Sequence, residues 1–378
     1  MSLVNEFFSF QNGYAFKSSD FVYKGKYKII KIKELKDGLV KFFDDTAEIN
    51  VPVNFDVDKY IVRKGDVLFA LTGDPVNKPN PLSWVGRVSY YDHDEPALLN
   101  QRVCKAIPKG NIPSEYLYYF FRQEKEFYRL ASKATGSASQ ANISTKTIEQ
   151  HPITVPAGDI SGRIIDFLRN IDVKISVNEA INRNLSEQAF ALFKEMFPNV
   201  NQGEHTLGEY LSAVKGKALL SKDAVEGDVP VIAGGLSPAT YHNVANTKAP
   251  VLTISASGAN AGYVALWNVD VWSSDSSYID SNMTENVYFW YVMLKTRQKE
   301  IFDAHTGSVQ PHIYPKNIDN LSVAELDRKI VTDYTMQVSP LFELIGKNIK
   351  ENERLIILRD SLLPKLMSGD LNVSNLYI

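Results

Sequence analysis

The chain contains an internal repeat, and this feature restricts its architecture more than any other. Residues 135–148 read TGSASQANISTKTI and residues 306–318 read TGSVQPHIYPKNI, and apart from one deleted residue they share Thr, Gly, Ser, Gln, Ile, Lys and Ile. Gln140 corresponds to Gln310 and Lys146 to Lys316, each pair being 170 positions apart. Self-similarity at a fixed separation indicates that one structural unit occurs twice.

Two further landmarks precede this segment in both halves of the chain. The first is a weak match that pairs Gly13, Ala15, Ser18 and Asp20 with Gly216, Ala218, Ser221 and Asp223. The second is an apolar, β-rich run, GDVLFALTGD at 65–74 and PVLTISASG at 250–258. Each run stops at Gly, as is typical of a strand that leads into a tight loop. Because all three landmarks keep their order, we predict two similar folded domains.

A heptad pattern follows each copy of the repeat. The apolar steps of 4 and 3 residues predict two long helices with one apolar seam each. The seam residues are Ile164, Leu168, Ile171, Ile175, Asn178, Asn182, Leu185, Ala189, Leu192 and Met196, and, 170 positions later, Tyr334, Val338, Leu341, Ile345, Asn348, Asn352, Leu355, Arg359, Leu362 and Leu366. Pro340 and Pro364 predict a break or kink near residue 339 and a frayed last turn before the stop at Ser368-Gly369.

Polar residues occupy the same two places in both seams, Asn178 with Asn182 and Asn348 with Asn352. A buried Asn at a seam position lowers stability but fixes the register of helix pairing. Both pairs lie near the middle of their seams, so we predict an antiparallel helix pair about a pseudo-twofold axis. The alternative is two separate helices, each docked on its own domain with the Asn residues exposed.

Together these patterns predict an α+β protein in which two similar α/β domains are separated by two long helices packed as an antiparallel coiled coil. The expected segments are a first domain at 1–155, a first helix at 156–200, a second domain at 201–324, and a second helix with the C-terminal tail at 325–378. Within the domains, the segments 114–131 and 287–304 are expected to form amphipathic helices that pack on the strands.

Composition and motifs exclude several classes of function. The formal net charge of −3 argues against coating nucleic acid by bulk electrostatics, although local basic faces remain possible. A single cysteine, Cys104, excludes intrachain disulfides and cysteine-cluster metal sites, and is typical of a reducing cytoplasm. No phosphate loop, nucleophile elbow or H-E-x-x-H motif is present, and we assign no catalytic and no metal-binding residues. We expect neither a signal peptide nor a membrane segment.

The repeated TGS segment is a candidate for binding duplex DNA. Its Gln carries an amide that can pair bidentately with an adenine edge, and the Lys six residues later can reach a phosphate. The alternative is an ordinary turn whose Ser and Thr cap backbone groups, and for any single loop residue a solvated position is the competing interpretation. The candidates are Tyr14, Lys17, Ser18, Thr72, Gly73, Gly136, Ser137, Gln140, Asn142 and Lys146 in the first domain, and Lys217, Ser255, Ser257, Asn260, Gly307, Ser308, Gln310, His312 and Lys316 in the second.

Several segments resemble type I restriction-modification specificity subunits, and the resemblance covers essentially the whole chain. They are FQNGYAFKSSDF (10–21), KGDVLFALTGD (64–74), LNQRVCKA (99–106), TGSASQANIS (135–144) and LRDSLLPKLMSGDL (358–371). The closing LLPKLMSGDL and the doubled TGS segment are the most specific of these. The second domain departs from the pattern, because VKGKALLSKDA (214–224) lacks the Tyr and Phe of GYAF.

The resemblance implies that each domain is a target-recognition domain that reads one half of a split double-stranded DNA site. It also implies that the helices at 159–197 and 326–367 bind methyltransferase subunits, two of which are expected, alongside restriction/translocase subunits. No cofactor is then expected in this chain, since S-adenosylmethionine, ATP and Mg would be held by the partners. From residue 164 to 196 the seam would span about 48 Å at the usual helical rise, which corresponds to about one to one and a half turns of duplex.

Three alternatives stay open at this point. The chain can be an enzyme with a cryptic nuclease centre, a coiled-coil scaffold that binds only proteins, or the specificity subunit of a related complex that cuts on both sides of its site. Metal-dependent cleavage by the isolated chain would favour the first, and duplex binding with a steep salt dependence would exclude the second.

Overall fold

The computed structural model describes residues 2–156, 160–305 and 311–371. The chain forms two compact units, the first made of residues 1–173 and 355–378 and the second of residues 174–354. Each unit therefore holds one mixed α/β domain together with a part of each long helix. The predicted α+β class, with two similar domains and two long helices, is confirmed.

The first domain consists of short strands and short helices. In chain order they are β1 (Ser2–Leu3), α1 (Val4–Phe7), β2 (Phe8–Asn12), β3 (Phe21–Val22), β4 (Tyr27–Ile30), β5 (Leu35–Lys36), β6 (Leu39–Val40), β7 (Glu48–Ile49), α2 (Val57–Tyr60), β8 (Ile61–Val62), β9 (Val67–Ala70), β10 (Thr72–Gly73), β11 (Val88–Tyr90), β12 (Ala97–Leu99), β13 (Val103–Pro108), α3 (Glu115–Arg122), α4 (Glu124–Ala131), β14 (Thr135–Ser137), β15 (Gln140–Asn142), α5 (Thr145–Glu149) and β16 (Pro152–Ile153), followed by the long helix α6 (Ile160–Met196). The sheets have the strand orders β2-β13-β9-β11-β6-β5, β3-β7-β4-β12-β8, β10-β15-β14 and β1-β16.

Strand β9 is the centre of the first domain, and its sequence VLFA is apolar at every position because both faces are covered. Val67 and Phe69 point into a core that also contains α3 and the start of α6. Leu68 and Ala70 point to the opposite side, into a second core with residues of β4 and β12. The predicted strand at 65–74 is confirmed, and the side-chain alternation explains its composition.

The segment 114–131 differs from its prediction, because it forms the two helices α3 and α4 instead of one. Gln123 has an extended backbone with ψ 124°, which ends α3, and its carbonyl oxygen accepts the amides of Glu126 and Phe127 at the start of α4. Six consecutive residues of α3, Tyr116–Phe121, are buried. The helix is buried on all sides because it belongs to the same core as the central strand and the long helices.

The second domain repeats this plan with fewer strands. Its elements are β17 (His205–Thr206), α7 (Leu207–Tyr210), β18 (Val214–Lys215), β19 (Val229–Ile232), β20 (Thr240–His242), β21 (Val251–Ser255), β22 (Val264–Trp267), β23 (Trp272–Ser273), β24 (Ser276–Asp280), α8 (Val287–Thr296), α9 (Gln298–Asp303), α10 (Pro315–Asp319) and β25 (Ser322–Val323), followed by the long helix α11 (Arg328–Ser368). The sheets have the orders β18-β24-β21-β22, β20-β19-β23 and β17-β25. The segment 287–304 is again divided into two helices, at Arg297, where a single helix was expected.

The long helices pack against each other within each unit, and all twenty predicted seam positions are buried or half-buried. In the first unit, Leu168 of α6 shares a core with Leu363 and Leu366 of α11. In the second unit, the Tyr334 hydroxyl of α11 donates to the carbonyl oxygen of Ala189 in α6 at 3.0 Å. The residue numbers of the contacts increase along α6 as they decrease along α11, so the predicted antiparallel pairing is confirmed.

The expected break in the second long helix is wrong. Helix α11 continues from Arg328 to Ser368 through both Pro340 and Pro364, and ends at Gly369 with φ 81°. Proline removes one backbone hydrogen bond from a helix interior, at a cost of about 3 kcal/mol. Here the neighbouring Val338 and Phe342 are buried in the core, and the amide missing at Pro340 would have bonded Met336, which lies on the exposed side. Packing along the helix therefore outweighs the local preference.

Candidate nucleic-acid interface

Four backbone segments lie side by side at one edge of the first domain, and most of the predicted DNA-contacting residues belong to them. The Gln101 amide donates to the Tyr14 carbonyl oxygen at 3.0 Å. The Leu71 amide donates to the Arg102 carbonyl oxygen at 2.9 Å. The Ile143 amide donates in turn to the Leu71 carbonyl oxygen at 3.0 Å. The order across the edge is thus residue 14, residues 101–102, residues 71–73 and residues 140–143. We call this arrangement the four-segment edge.

The second domain has an equivalent edge, in which the bonds of the third segment to the second and of the fourth to the third recur. The Gly216 amide also donates to the Ser276 carbonyl oxygen at 2.8 Å, as the Gly13 amide donates to the Val103 carbonyl oxygen at 3.1 Å. One bond differs, because here the first segment donates to the second instead of accepting from it. The Lys217 amide donates to the Ser273 carbonyl oxygen at 2.9 Å. The Ala256 amide donates to the Asp275 carbonyl oxygen at 3.1 Å. The Ile313 amide donates to the Ala256 carbonyl oxygen at 2.9 Å. The third and fourth segments also pair in the same way, since a bridge between Ser257 and His312 stands where Thr72 pairs with Asn142 in the first domain.

The strand registers show that these positions are equivalent. Val103 of β13 lies opposite Ala70 of β9, and Ser276 of β24 lies opposite Ser255 of β21. The residues just before Val103 and Ser276 are Arg102 and Asp275. The landmarks found in the sequence therefore occupy corresponding places in two similar folds.

The repeated glycine of the first landmark has a steric reason. A Cβ atom on Gly13 would lie 2.1 Å from the carbonyl oxygen of Asn100, and one on Gly216 would lie 2.5 Å from that of Ser273. Both distances are too short for any side chain. Glycine thus lets the first segment of each edge approach the second closely enough for backbone hydrogen bonds.

The TGS segment of the first domain is a β-hairpin formed by β14 and β15, and it is followed by α5. Gly136, Ser137 and Gln140 are exposed, and the Ser137 hydroxyl oxygen accepts the Gln140 amide at 3.2 Å. Lys146 is exposed on α5. The backbone here is a turn, as the alternative interpretation held, but its side chains extend into solvent beside the edge.

Three of the candidates shape the edge from inside. Thr72 is only 3% exposed, and its hydroxyl donates to Asn142 Oδ1 at 2.8 Å. A Cβ atom on Gly73 would lie 2.7 Å from the amide nitrogen of Val85. Thr72 and Gly73 thus hold the hairpin against the third segment, and Asn142, half-buried, is its side-chain partner.

The first segment carries Tyr14, Lys17 and Ser18, and all three are exposed. The Tyr14 ring contacts those of Phe16, Phe55 and Tyr60, with centroid distances of 5.0, 5.1 and 5.4 Å. Tyr14 is therefore held by an aromatic cluster, and Lys17 and Ser18 follow it on a short 3-10 turn that begins at Ser18.

In the second domain, Lys217 is exposed, and its ammonium lies 6.0 Å from the centre of the Trp272 ring. Ser255 is buried. The Ser257 hydroxyl donates to a carboxylate oxygen of Asp275, and the Asn260 amide group donates to the Gly234 carbonyl oxygen at 3.3 Å.

The fourth segment of the second domain carries the remaining candidates. The ring of His312 stacks on that of Tyr314, with centroids 6.0 Å apart, and Lys316 is exposed on α10. Gly307, Ser308 and Gln310 lie outside the described residues.

Sequence reasoning missed the residues at the tip of the second segment. Gln101 and Arg102 are exposed between buried Asn100 and Val103, and Asp275 is exposed between buried serines. The signal was a short polar turn between two apolar runs, which is typical of a hairpin connection. Without the strand register, nothing in the sequence connects Arg102 with Asp275.

The Asn residues of the long helices meet as predicted. In the second unit, Asn178 Nδ2 donates to Asn352 Oδ1 at 2.8 Å, and Asn348 Nδ2 donates to Asn182 Oδ1 at 2.8 Å. Asn178 also donates to Glu351 at 2.7 Å, and this hydrogen bond holds the pKa of the Glu351 carboxyl below its usual value. The alternative of exposed Asn residues on separate helices is wrong.

The described ranges provide no group of three or more His, Cys, Asp or Glu side chains able to hold a metal ion. Among the helices within those ranges, none is both long enough and apolar enough to cross a membrane. Cys104 is fully buried in β13, and burial raises the pKa of its thiol.

Comparison with known proteins finds a matching family model and several relatives of the chain. Residues 2–187 match the family model described as the type I restriction modification DNA specificity domain. The chain is 23% identical over 333 residues to the type I restriction enzyme MjaIX specificity subunit of Methanocaldococcus jannaschii, covering 74% of both chains. It is 24% identical over 199 residues to the HindI specificity subunit of Haemophilus influenzae, covering 50% of this chain and 41% of that one.

Its fold is similar to the crystal structure of a type I restriction-modification S subunit from M. genitalium. The TM-score is 0.63 at 19% identity, and the match covers 97% of this chain and 95% of that chain. Residues 2–187 therefore belong to the family of type I restriction modification DNA specificity domains, and over 74% of its length the chain is similar to a type I restriction enzyme specificity subunit.

Proposed function

We propose that each domain reads one half of a bipartite double-stranded DNA site through its four-segment edge, and that the chain directs the methyltransferase and restriction subunits of its complex without catalysing a reaction itself. In this proposal the target-recognition domains are the predicted segments 1–155 and 201–324. The observation that carries the proposal is that both domains keep the backbone hydrogen bonds that join the second, third and fourth segments of the edge while the exposed side chains on it differ.

The edge as a whole is wider than the major groove, but the hairpin at its end is narrow enough to enter it. Three steps between neighbouring segments, each about 4.8 Å, give a width of about 14 Å. The major groove of B-DNA is about 12 Å wide and admits a two-stranded β-ribbon. The hairpin of β14 and β15 is such a ribbon, and Gly136, Ser137 and Gln140 are exposed on it.

The side chains divide into three roles. Gln140, with its exposed amide, reads a base edge. The exposed lysines contact phosphates and set the register on the duplex, and they are Lys17 and Lys146 in the first domain and Lys217 and Lys316 in the second. Buried Thr72 supports the hairpin through Asn142. A chain with a net charge of −3 can bind DNA in this way because only charge near the phosphates contributes.

The long helices are the proposed binding site for the methyltransferase subunits, two per chain. In the second unit, Val177 and Ile181 of α6 and Ile349 of α11 are exposed apolar residues outside the seam. In the first unit, Ile356 and Ile357 of α11 are also exposed. Such residues are buried when a partner packs against them. S-adenosylmethionine, ATP and Mg belong to the partners in this proposal, and the complex acts in the cytoplasm, where the DNA is.

The test is to coexpress the chain with the methyltransferase subunit of its own system and to map methylated adenines across the host DNA. We expect a motif of two short blocks separated by an unread spacer. One uninterrupted block, or methylation without sequence preference, would contradict the proposal. Metal-dependent cleavage by the purified chain alone would contradict its non-catalytic part.

A matched pair of variants assigns the domains to the blocks. Gln140→Ala should weaken one block, and Gln310→Ala should weaken the other. Gln123→Ala is the control, because Gln123 lies in the connection between α3 and α4 and belongs to none of the four segments of the edge. If Gln140→Ala and Gln310→Ala weakened the same block, the assignment of one domain to each block would be wrong.

A further inference from the structure

The two four-segment edges differ most in charge at one equivalent position. The turn between β12 and β13 presents Arg102, and the turn between β23 and β24 presents Asp275. Each is exposed at the tip of its turn, and the next residue along the chain, Val103 or Ser276, is buried. The same backbone arrangement thus presents a positive charge in the first domain and a negative charge in the second.

Both side chains start from a fixed backbone. The carbonyl oxygen of Arg102 accepts the Leu71 amide at 2.9 Å, and that of Asp275 accepts the Ala256 amide at 3.1 Å. Each residue therefore lies in the second segment, directly beside the third segment and one further step from the fourth. A residue there faces the same ligand as the hairpin.

The two side chains offer complementary hydrogen-bonding groups. Arginine presents paired donors that match O6 and N7 of guanine, and aspartate presents acceptors that match the N4 amino group of cytosine. A carboxylate is repelled by phosphates, so on a DNA-binding edge Asp275 is best explained by a contact to a base. Its Oδ2 atom accepts a hydrogen bond from the Ser257 hydroxyl, and its Oδ1 atom accepts none from the part of the chain that the structure describes.

We propose that this turn position determines one base pair in each half-site, with Arg102 selecting guanine in one half and Asp275 selecting cytosine in the other. This inference rests on the proposed function, because it assumes that the four-segment edge reads duplex DNA. It adds that a single equivalent position accounts for one difference between the two half-sites.

The experiment uses the chain coexpressed with its methyltransferase subunit, and the readout is the methylated motif of each variant. Arg102→Ala should relax a guanine at one position of one block, by about 5- to 150-fold in preference, and leave the other block unchanged. Asp275→Ala should relax a cytosine in the other block. Asp275→Asn should shift that preference towards adenine, because an amide both donates and accepts.

Matched controls separate base contacts from general effects. Arg63→Ala removes an exposed arginine whose guanidinium pairs with Asp58 at 3.5 Å, and Asp228→Asn changes an exposed carboxylate before β19. Both should leave the motif unchanged. Ser257→Ala releases the Asp275 carboxylate, and it should weaken the cytosine preference without creating a new one.

The outcomes distinguish the two proposals. A wild-type motif that is not divided into two blocks would overturn the proposed function. A divided motif that is unchanged in Arg102→Ala and in the isosteric Asp275→Asn, with unchanged melting temperatures, would overturn only the turn assignment. Uniform loss of methylation at all sites in Arg102→Ala would also overturn it, since that result indicates a phosphate contact.

Discussion

A buried ion pair lies between the long helices of the first unit, and its removal is a direct test of how they are held together. Arg359 Nη1 donates to Asp172 Oδ1 at 2.6 Å, and the Tyr119 hydroxyl donates to Asp172 Oδ2 at 2.7 Å. The side chain of Arg359 is only 9% exposed and that of Asp172 25%. Burial alone would lower the pKa of Arg359, but the hydrogen bonds that it donates to Asp360 and Asp172 raise this pKa above its usual value. Asp172 therefore joins both long helices to α3.

Asp172→Leu leaves the guanidinium of Arg359 buried beside a single carboxylate, that of Asp360, which is 57% exposed. Breaking a buried pair from one side costs about 3–5 kcal/mol. Since Asp172 is partly exposed and Asp360 remains, we expect a loss of about 2–3 kcal/mol in the free energy of unfolding. For a unit of roughly 200 residues this corresponds to a fall in melting temperature of about 4–12 °C.

The second unit shows that the same layer can be apolar. The positions 170 residues away from Asp172 and Arg359 are Phe342 and Ala189, and both are buried. The triple variant Asp172→Leu, Arg359→Leu and Tyr119→Phe removes the ion pair and the hydroxyl bonded to it together, while Arg122 keeps its hydrogen bond to the Tyr118 hydroxyl at 2.6 Å. It should recover most of the stability that Asp172→Leu loses, because no buried group is left unpaired.

Calorimetry and urea unfolding measure these changes. The control is Asp94→Leu, which breaks the exposed pair between Lys64 and Asp94 and should leave the melting temperature unchanged. A loss below about 1 kcal/mol for Asp172→Leu would refute the reasoning, because a loss that small is typical of an exposed pair. A triple variant no more stable than Asp172→Leu would refute it as well, since packing would then matter more than pairing.

Three further predictions follow from the structure. Asn178→Ala should cost about 1–3 kcal/mol in urea unfolding, since it leaves Asn352 with an unpaired acceptor, and it should raise the pKa of Glu351 towards its ordinary value in an NMR titration; an unchanged Glu351 pKa would contradict the contact. Lys146→Ala should weaken DNA binding equally for all sequences and reduce its salt dependence, whereas Gln140→Ala should change sequence preference; a base-specific effect of Lys146→Ala would reverse these roles. Burial lowers the pKa of His151, so as pH drops the unfolded state binds this proton before the folded state does, and stability should fall below about pH 6.5. His151→Leu, which copies the equivalent Leu321, should reduce that fall in a series of melting temperatures from pH 7 to pH 5, whereas the control His205→Gln, at an exposed histidine, should not reduce it.

The sequence by itself predicted the features that depend on local periodicity. A step of 4 and 3 residues places Leu168 and Asn178 on one face of any helix, so the seams and the Asn pairs were readable before the structure. The equal spacing of the two seams then predicted the antiparallel pairing that joins Asn178 to Asn352. The order of the repeated landmarks likewise predicted two similar domains.

Helix boundaries were less predictable, because local propensity competes with packing. The break at Gln123 splits a segment whose pattern suited one helix, and Pro340 fails to break a helix that packing holds together. Thr72 was expected at the surface because it follows a strand in a polar loop. It is buried instead, because the hairpin from residues 135–142 covers it.

Only the tertiary structure decided which residues at the second segment are equivalent in the two four-segment edges. Strand pairing joins residues that are far apart in sequence, such as Leu71 with Arg102 and with Ile143. At the tip of the second segment the two side chains, Arg102 and Asp275, share no chemistry, so sequence comparison within the chain could not align them. Their equivalence is set by backbone hydrogen bonds, which do not depend on the identity of the side chains and leave those side chains free to differ between the two domains.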